Sequence, residues 1–130
     1  MKPELTETTG AQVVSGGDAV VAVPSGQVVV LQEVIWNVPG PSGLAIRFRF
    51  VAPAIAKAAG GVDFGAASAD MMHLCQTYAR TRLAEFGPQP SQIIISMADR
   101  ALPFGDAAPE ATQFFMAYRL ENDACILEVF

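Results

Sequence analysis

One histidine, two cysteines and a handful of arginines carry most of the chemistry open to this chain of 130 residues. His73 is the sole imidazole, so any imidazole-centred site must use it. On a helix, Asp70 (i−3), Thr77 (i+4) and Arg80 (i+7) share its side. That set would orient an imidazole for acid–base work, and it equally describes a solvated helix face. Cys75 falls about 200° around the same helix, so the two residues cannot readily join one metal sphere. No C-x-x-C is present to depress a thiol pKa. Neither a metal nor a cofactor is expected, and no catalytic residue is assigned.

The cysteines read better as a pair. Cys75 lies in the apolar stripe of the helix, and Cys125, Leu127 and Val129 share one face of the last strand. If the stripe covers that face, the sulfurs meet. A disulfide there would close a loop of about 51 residues, worth ~4 kcal/mol at most by loop-closure entropy. The alternative is two buried free thiols.

Two further groups are candidates for a ligand or partner surface. Arg47 and Arg49 project from the outer face of a strand, with Arg119 on a later one. They form either a ladder of ion pairs with Glu33 and Glu128 or a recognition surface beside Phe115, Ile126 and Phe130. The connection Asp99-Arg100-Ala101-Leu102-Pro103-Phe104-Gly105-Asp106 is a long Pro/Gly loop with a charged pair and an aromatic, the usual place for recognition. Packed against the core, it would instead cap it.

These residues need elements to position them. Asp63 to Phe86 is the only long helical pattern. Asp63 is its N-cap, Met71, Met72, Cys75, Ala79, Leu83 and Phe86 recur at spacings of three and four, and Gly87-Pro88 close it. Cys75 faces the core in this reading, whereas His73 and Asp70 point away. Ile46, Phe48 and Phe50 against Arg47 and Arg49 give the cleanest strand. Ala19–Val23 and Gln27–Val38 read as a hairpin across Pro24-Ser25-Gly26. The second of these is apolar on both faces except at Gln32, Glu33 and Asn37, as suits a doubly covered strand or an oligomer contact. Gln92–Met97, Thr112–Leu120 and Cys125–Phe130 complete the set, the last two joined at Asn122-Asp123. The expected order is β-β-β-α-β-β-β: an α+β fold with a mainly antiparallel sheet of about five to six strands, covered on one face by one long helix. Residues 1–18 read as a flexible N-terminal segment and 19–130 as a single domain.

Composition narrows the function classes. Hydrophobic residues make up 52% and charged residues 16%, which marks a globular chain. The net charge of −5 argues against nonspecific binding to nucleic acid. No apolar run approaches the ~20 residues of a membrane span. P-loop, G-x-G-x-x-G, H-E-x-x-H, G-x-S-x-G and EF-hand motifs are all missing. Met1-Lys2-Pro3-Glu4-Leu5 lacks the apolar run of a signal peptide.

Val23-Pro24-Ser25-Gly26-Gln27, Arg47 to Pro53, Pro103-Phe104-Gly105 and Pro109 to Phe115, taken with Asp70-Met71 to Cys75 and the Cys125 tail, resemble an uncharacterised family of small alphaproteobacterial proteins. The resemblance implies export and a retained disulfide, and it brings no catalytic residue or ligand. The expectation is therefore a periplasmic or secreted binding or assembly domain without catalytic activity, cytoplasmic if Met1 is the native start. Its partner is an unknown protein, met on the outer sheet face or the 98–109 loop. The alternatives are a small enzyme using His73 with Asp70, or Asp99 with Arg100, and a self-associating structural protein.

Overall fold

The computed structural model describes residues 12–40, 43–57, 61–86, 89–106 and 108–128, with the backbone alone for 37–40. Period-two alternation builds the sheet. In β3 (Gly43–Val51), Ile46, Phe48 and Phe50 are buried on one face, and Arg47 and Arg49 lie on the other. β3 pairs antiparallel with β2 (Val30–Gly40), which pairs with β1 (Gln12–Ser15). A 3₁₀ turn at Pro53–Ile55 and the long helix then carry the chain across the sheet. It returns as β4 (Gln92–Ala98), parallel to β3, with Ile46 opposite Ile93 and Phe48 opposite Ile95. β5 (Gln113–Glu121) and β6 (Ala124–Leu127) follow antiparallel. Spatial order equals chain order, β1 to β6.

The α+β class and the β-β-β-α-β-β-β order stand as expected. A crossover of this length is what permits the one parallel pair, since antiparallel neighbours need only a short turn. The β5–β6 turn is the expected one: Asn122 and Asp123 both adopt positive φ, as a two-residue hairpin requires.

The first strand is not where the sequence put it. Gln12–Ser15, within the segment read as flexible, forms β1, while Ala19–Val23 contributes only an isolated bridge from Val20 to Val30. Asp70 takes the turn that follows Val23 for itself, as described below. Gly16 lies so close to the strand that any Cβ there would meet the Leu31 carbonyl. The second strand, expected over Gln27–Val38, runs Val30–Gly40, and both faces are buried within one chain at Val34 and Ile35. Residues 1–11, Gly87, Pro88, Val129 and Phe130 lie outside the described residues.

The helix begins as expected, with Asp63 Oδ1 accepting from the Ala66 amide. Its winding then changes, from α over Phe64–His73 (α1) to π over Leu74–Ala79 and 3₁₀ over Arg80–Phe86. Irregular winding leaves carbonyls short of i+4 amides, and side chains take them up. Thr77 Oγ1 donates to the His73 carbonyl, Arg80 Nε to Gln76, and Arg82 Nη1 to Tyr78.

Cys75, in the π segment, and Cys125, on β6, meet at disulfide-bonding distance with Cα atoms 6.3 Å apart. Beside them Gln76 repeats the link without covalency. Its Oε1 accepts from the Cys125 amide at 2.8 Å and its Nε2 donates to the Asp123 carbonyl at 3.3 Å. Together these tie the last hairpin to the helix.

Candidate functional site

The two surfaces read separately from the sequence are one. Side chains at alternate positions of β3 bring Arg47 and Arg49 to the outer face, and the Phe104 ring of the loop lies against both guanidinium groups, 5.2 and 5.4 Å from its centroid. Between loop and sheet runs an open groove of about 350 Å³, floored by Ser96, Met97 and Phe115 and edged by Gln32, Pro103 and Asp106.

Arg49 is held from three directions. It pairs with Glu33, donates Nη2 to the Leu102 carbonyl at 2.9 Å, and touches Phe104. Gln32 Nε2 donates to the same Leu102 carbonyl at 2.9 Å. A β-bulge makes this possible. Leu31 pairs with Phe50 and Glu33 with the adjacent Arg49, so Gln32 is an extra residue that turns β2 toward the loop. Gln32 and Glu33 were legible as polar breaks in an apolar run, though their role was not. At the far end the loop is closed between Asp99 and Thr112: the Asp99 amide donates to the Thr112 carbonyl at 3.0 Å, and the Thr112 amide donates to Asp99 Oδ2 at 3.1 Å.

Arg47 differs from its neighbour. Among the described residues it has no carboxylate partner and no hydrogen bond, only the stack on Phe104. Burial, and then the charge of Arg49, lowers its pKa from the ordinary value. Its guanidinium is thus partly desolvated, with its five N–H donors free of side-chain and backbone acceptors among the described residues. The exposed faces of Phe104 and Phe115, 54% and 68% accessible, lie alongside it.

The remaining candidates fall elsewhere. Arg119 lies farther along the outer face, paired with Glu121 at 3.2 Å, and does not line the groove. Asp99 is held by Arg100 at 2.9 Å, and that hydrogen bond chiefly lowers its pKa. Since Asp99 also anchors Thr112, the pair is committed to the base of the loop.

Asp70 corrects the expectation most sharply. It is fully buried rather than outward-facing, and its carboxylate accepts from the Ser25 amide at 3.0 Å, the Ser25 hydroxyl, and Gln27 Nε2 at 2.7 Å. It clamps the Pro24–Ser25 turn to α1 and is not free to orient His73. The spacing held a signal: Asp70 is i+3 from Ala67 and i−4 from Leu74, both fully buried. No group of three or more metal-ligating side chains occurs among the described residues.

Comparison with known proteins adds a family. The family of unknown function DUF6497 matches residues 5–130. The chain belongs to it. No curated protein and no solved structure matches this DUF6497 chain. Among the described residues, no helix is long and apolar enough to cross a membrane.

Proposed function

We propose that this DUF6497 protein is a non-catalytic binding domain acting in an oxidising compartment, periplasmic or extracellular, and that its partner surface is the groove between the outer sheet face and the 98–109 loop. One observation carries this reading: Arg47, half-buried and stacked on Phe104, has no carboxylate partner among the described residues, although Arg49 beside it has one. A charge desolvated without a partner weakens a fold unless something else uses it. The exposed rings of Phe104 and Phe115 supply the apolar half of a recognition surface. The Cys75–Cys125 pair supports the oxidising compartment.

An enzyme built on Asp70 or Asp99 is disfavoured, because both carboxylates are occupied by structural hydrogen bonds. Self-association keeps one supporting observation, the exposure of Val13 and Val14 on the short edge strand β1.

The test is to titrate isotope-labelled, disulfide-intact protein with a chemically varied fragment set and map amide shifts by NMR. Binders are expected to move resonances of Arg47, Ser96, Phe104 and Phe115 together. Binders that gather elsewhere, or a set that leaves the groove untouched, would remove this assignment.

A further inference from the structure

Granting that the groove is the partner surface, its chemistry narrows what the partner presents. We infer that it receives an extended segment of a partner protein bearing one acidic side chain and, two residues along, an aromatic one. Arg47 takes the carboxylate, and the exposed faces of Phe104 and Phe115 take the ring.

The charge comes first. Arg49 is committed to Glu33 and the Leu102 carbonyl, so the groove has one cation to offer, on Arg47. One planar fork matches one carboxylate. A phosphate dianion would leave a charge uncompensated, and a polyanion would approach a chain whose net charge is −5.

The apolar component is set by register. Arg47 pairs with Ile94 on β4, and Phe115 on β5 pairs with Ser96, one same-face step farther along β4. Arg47 and Phe115 are thus two strand spacings apart across the sheet and one same-face step apart along it, about 12 Å between their Cα atoms, and both line the groove. Same-face side chains of an extended peptide are about 7 Å apart, two residues on. With the Phe104 ring 5.2 Å from the Arg47 guanidinium and Phe115 lining the same groove, that spacing lets one segment reach both the cation and the rings.

The openness of the groove argues for a segment of protein over a small molecule. Sites for small ligands bury ~70–90% of the ligand. Here both rings that would contact it stand mostly in solvent. Two neighbouring side chains of a larger partner would be covered by the rest of that partner.

The experiment uses the intact, oxidised protein and short end-capped peptides in which glutamate and phenylalanine are two residues apart, read by NMR shift titration. Binding should move Arg47, Ser96 and Phe115. Replacing the peptide glutamate by glutamine, or introducing Arg47→Gln, should weaken it about tenfold or more, the loss of one charge-assisted pair. Arg47→Lys should recover only part, and Arg119→Gln should leave affinity unchanged. Phe115→Ala, read on the same peptides, supplies a second test should Arg47→Gln fold poorly, and it should also weaken binding. If the glutamine peptide binds as well as the glutamate one while the groove resonances still move, the acidic requirement is wrong and the partner surface stands. Phenylacetate binding as tightly as the peptide would overturn the choice of a protein segment. If neither peptides nor the fragment set move the groove, the partner surface itself falls.

Discussion

Ile46, Phe48 and Phe50 look into a face closed by the helix, whereas Arg47 and Arg49, one residue along each time, look out beneath a loop that covers only part of theirs. On the inner side even the charged group is complete. Asp70 is buried, and its carboxylate gathers three donors from Ser25 and Gln27. On the outer side, among the described residues, Arg49 has its acceptors and Arg47 has none. Folding alone accounts for a charge whose partners are all present; the proposed partner surface rests on the charge that lacks them among the described residues.

The largest test of this contrast concerns the staple of the inner face. Replacing Cys75 and Cys125 together by alanine should reduce stability by about 3 kcal/mol, read from denaturant midpoints, because the loop they close spans a sequence separation of 50. The chain should nonetheless remain folded, since Gln76 still holds the Cys125 amide and the Asp123 carbonyl. Collapse to an unfolded chain would show that the inner face is not self-sufficient. Asp70→Ala comes next, at about 2–3 kcal/mol, because the Ser25 and Gln27 donors would lose a charged acceptor. A change under about 0.5 kcal/mol would mean that the turn is held by other contacts.

The outer face supplies its own internal control. Arg49→Met should destabilise by about 2 kcal/mol, leaving Glu33 without its cation and the Leu102 carbonyl with Gln32 as its remaining donor. Arg47→Met, two residues away on the same face, should change stability by less than about 0.5 kcal/mol or raise it, because no acceptor is orphaned. Equal losses at both positions would erase the distinction on which the groove is assigned.

What the sequence disclosed follows from the range of the interaction concerned. The helix, its Asp63 cap, the alternation in β3 and the β5–β6 turn rest on contacts within a few residues, and all were legible. The cysteine pairing was legible because each cysteine lay on a periodic face that had to be inside. What escaped was decided across the fold. β1 holds four residues and pairs with β2 from across a loop, so nothing local marks it more strongly than the β-branched run at Ala19–Val23. Asp70 was placed outside because a lone carboxylate on a helix usually is, and the donors that draw it inward lie over 40 residues away in sequence. Arg47, Arg49 and Phe104 were each singled out, but only the bulge at Gln32 and the Leu102 carbonyl bring them into one site.

The smallest effect probes one of the buried polar atoms left without a partner among the described residues. Tyr118 is fully buried in the core, and its hydroxyl has no hydrogen-bond partner among the described residues. Burial pushes its pKa up from the ordinary tyrosine value. Tyr118→Phe removes an unsatisfied oxygen without opening a cavity, so stability at neutral pH should stay level or rise by up to about 1 kcal/mol. The pH dependence fixes the sign independently. Below about pH 10 the phenol keeps its proton in both folded and unfolded chains. Above that, the unfolded chain releases a proton that the folded one retains, so stability falls as pH rises. Tyr118→Phe should therefore flatten the decline between about pH 10 and 12. If the substitution costs more than about 1 kcal/mol at neutral pH, the hydroxyl has a partner, and the inner face is closed more completely than its hydrogen bonds among side chains imply.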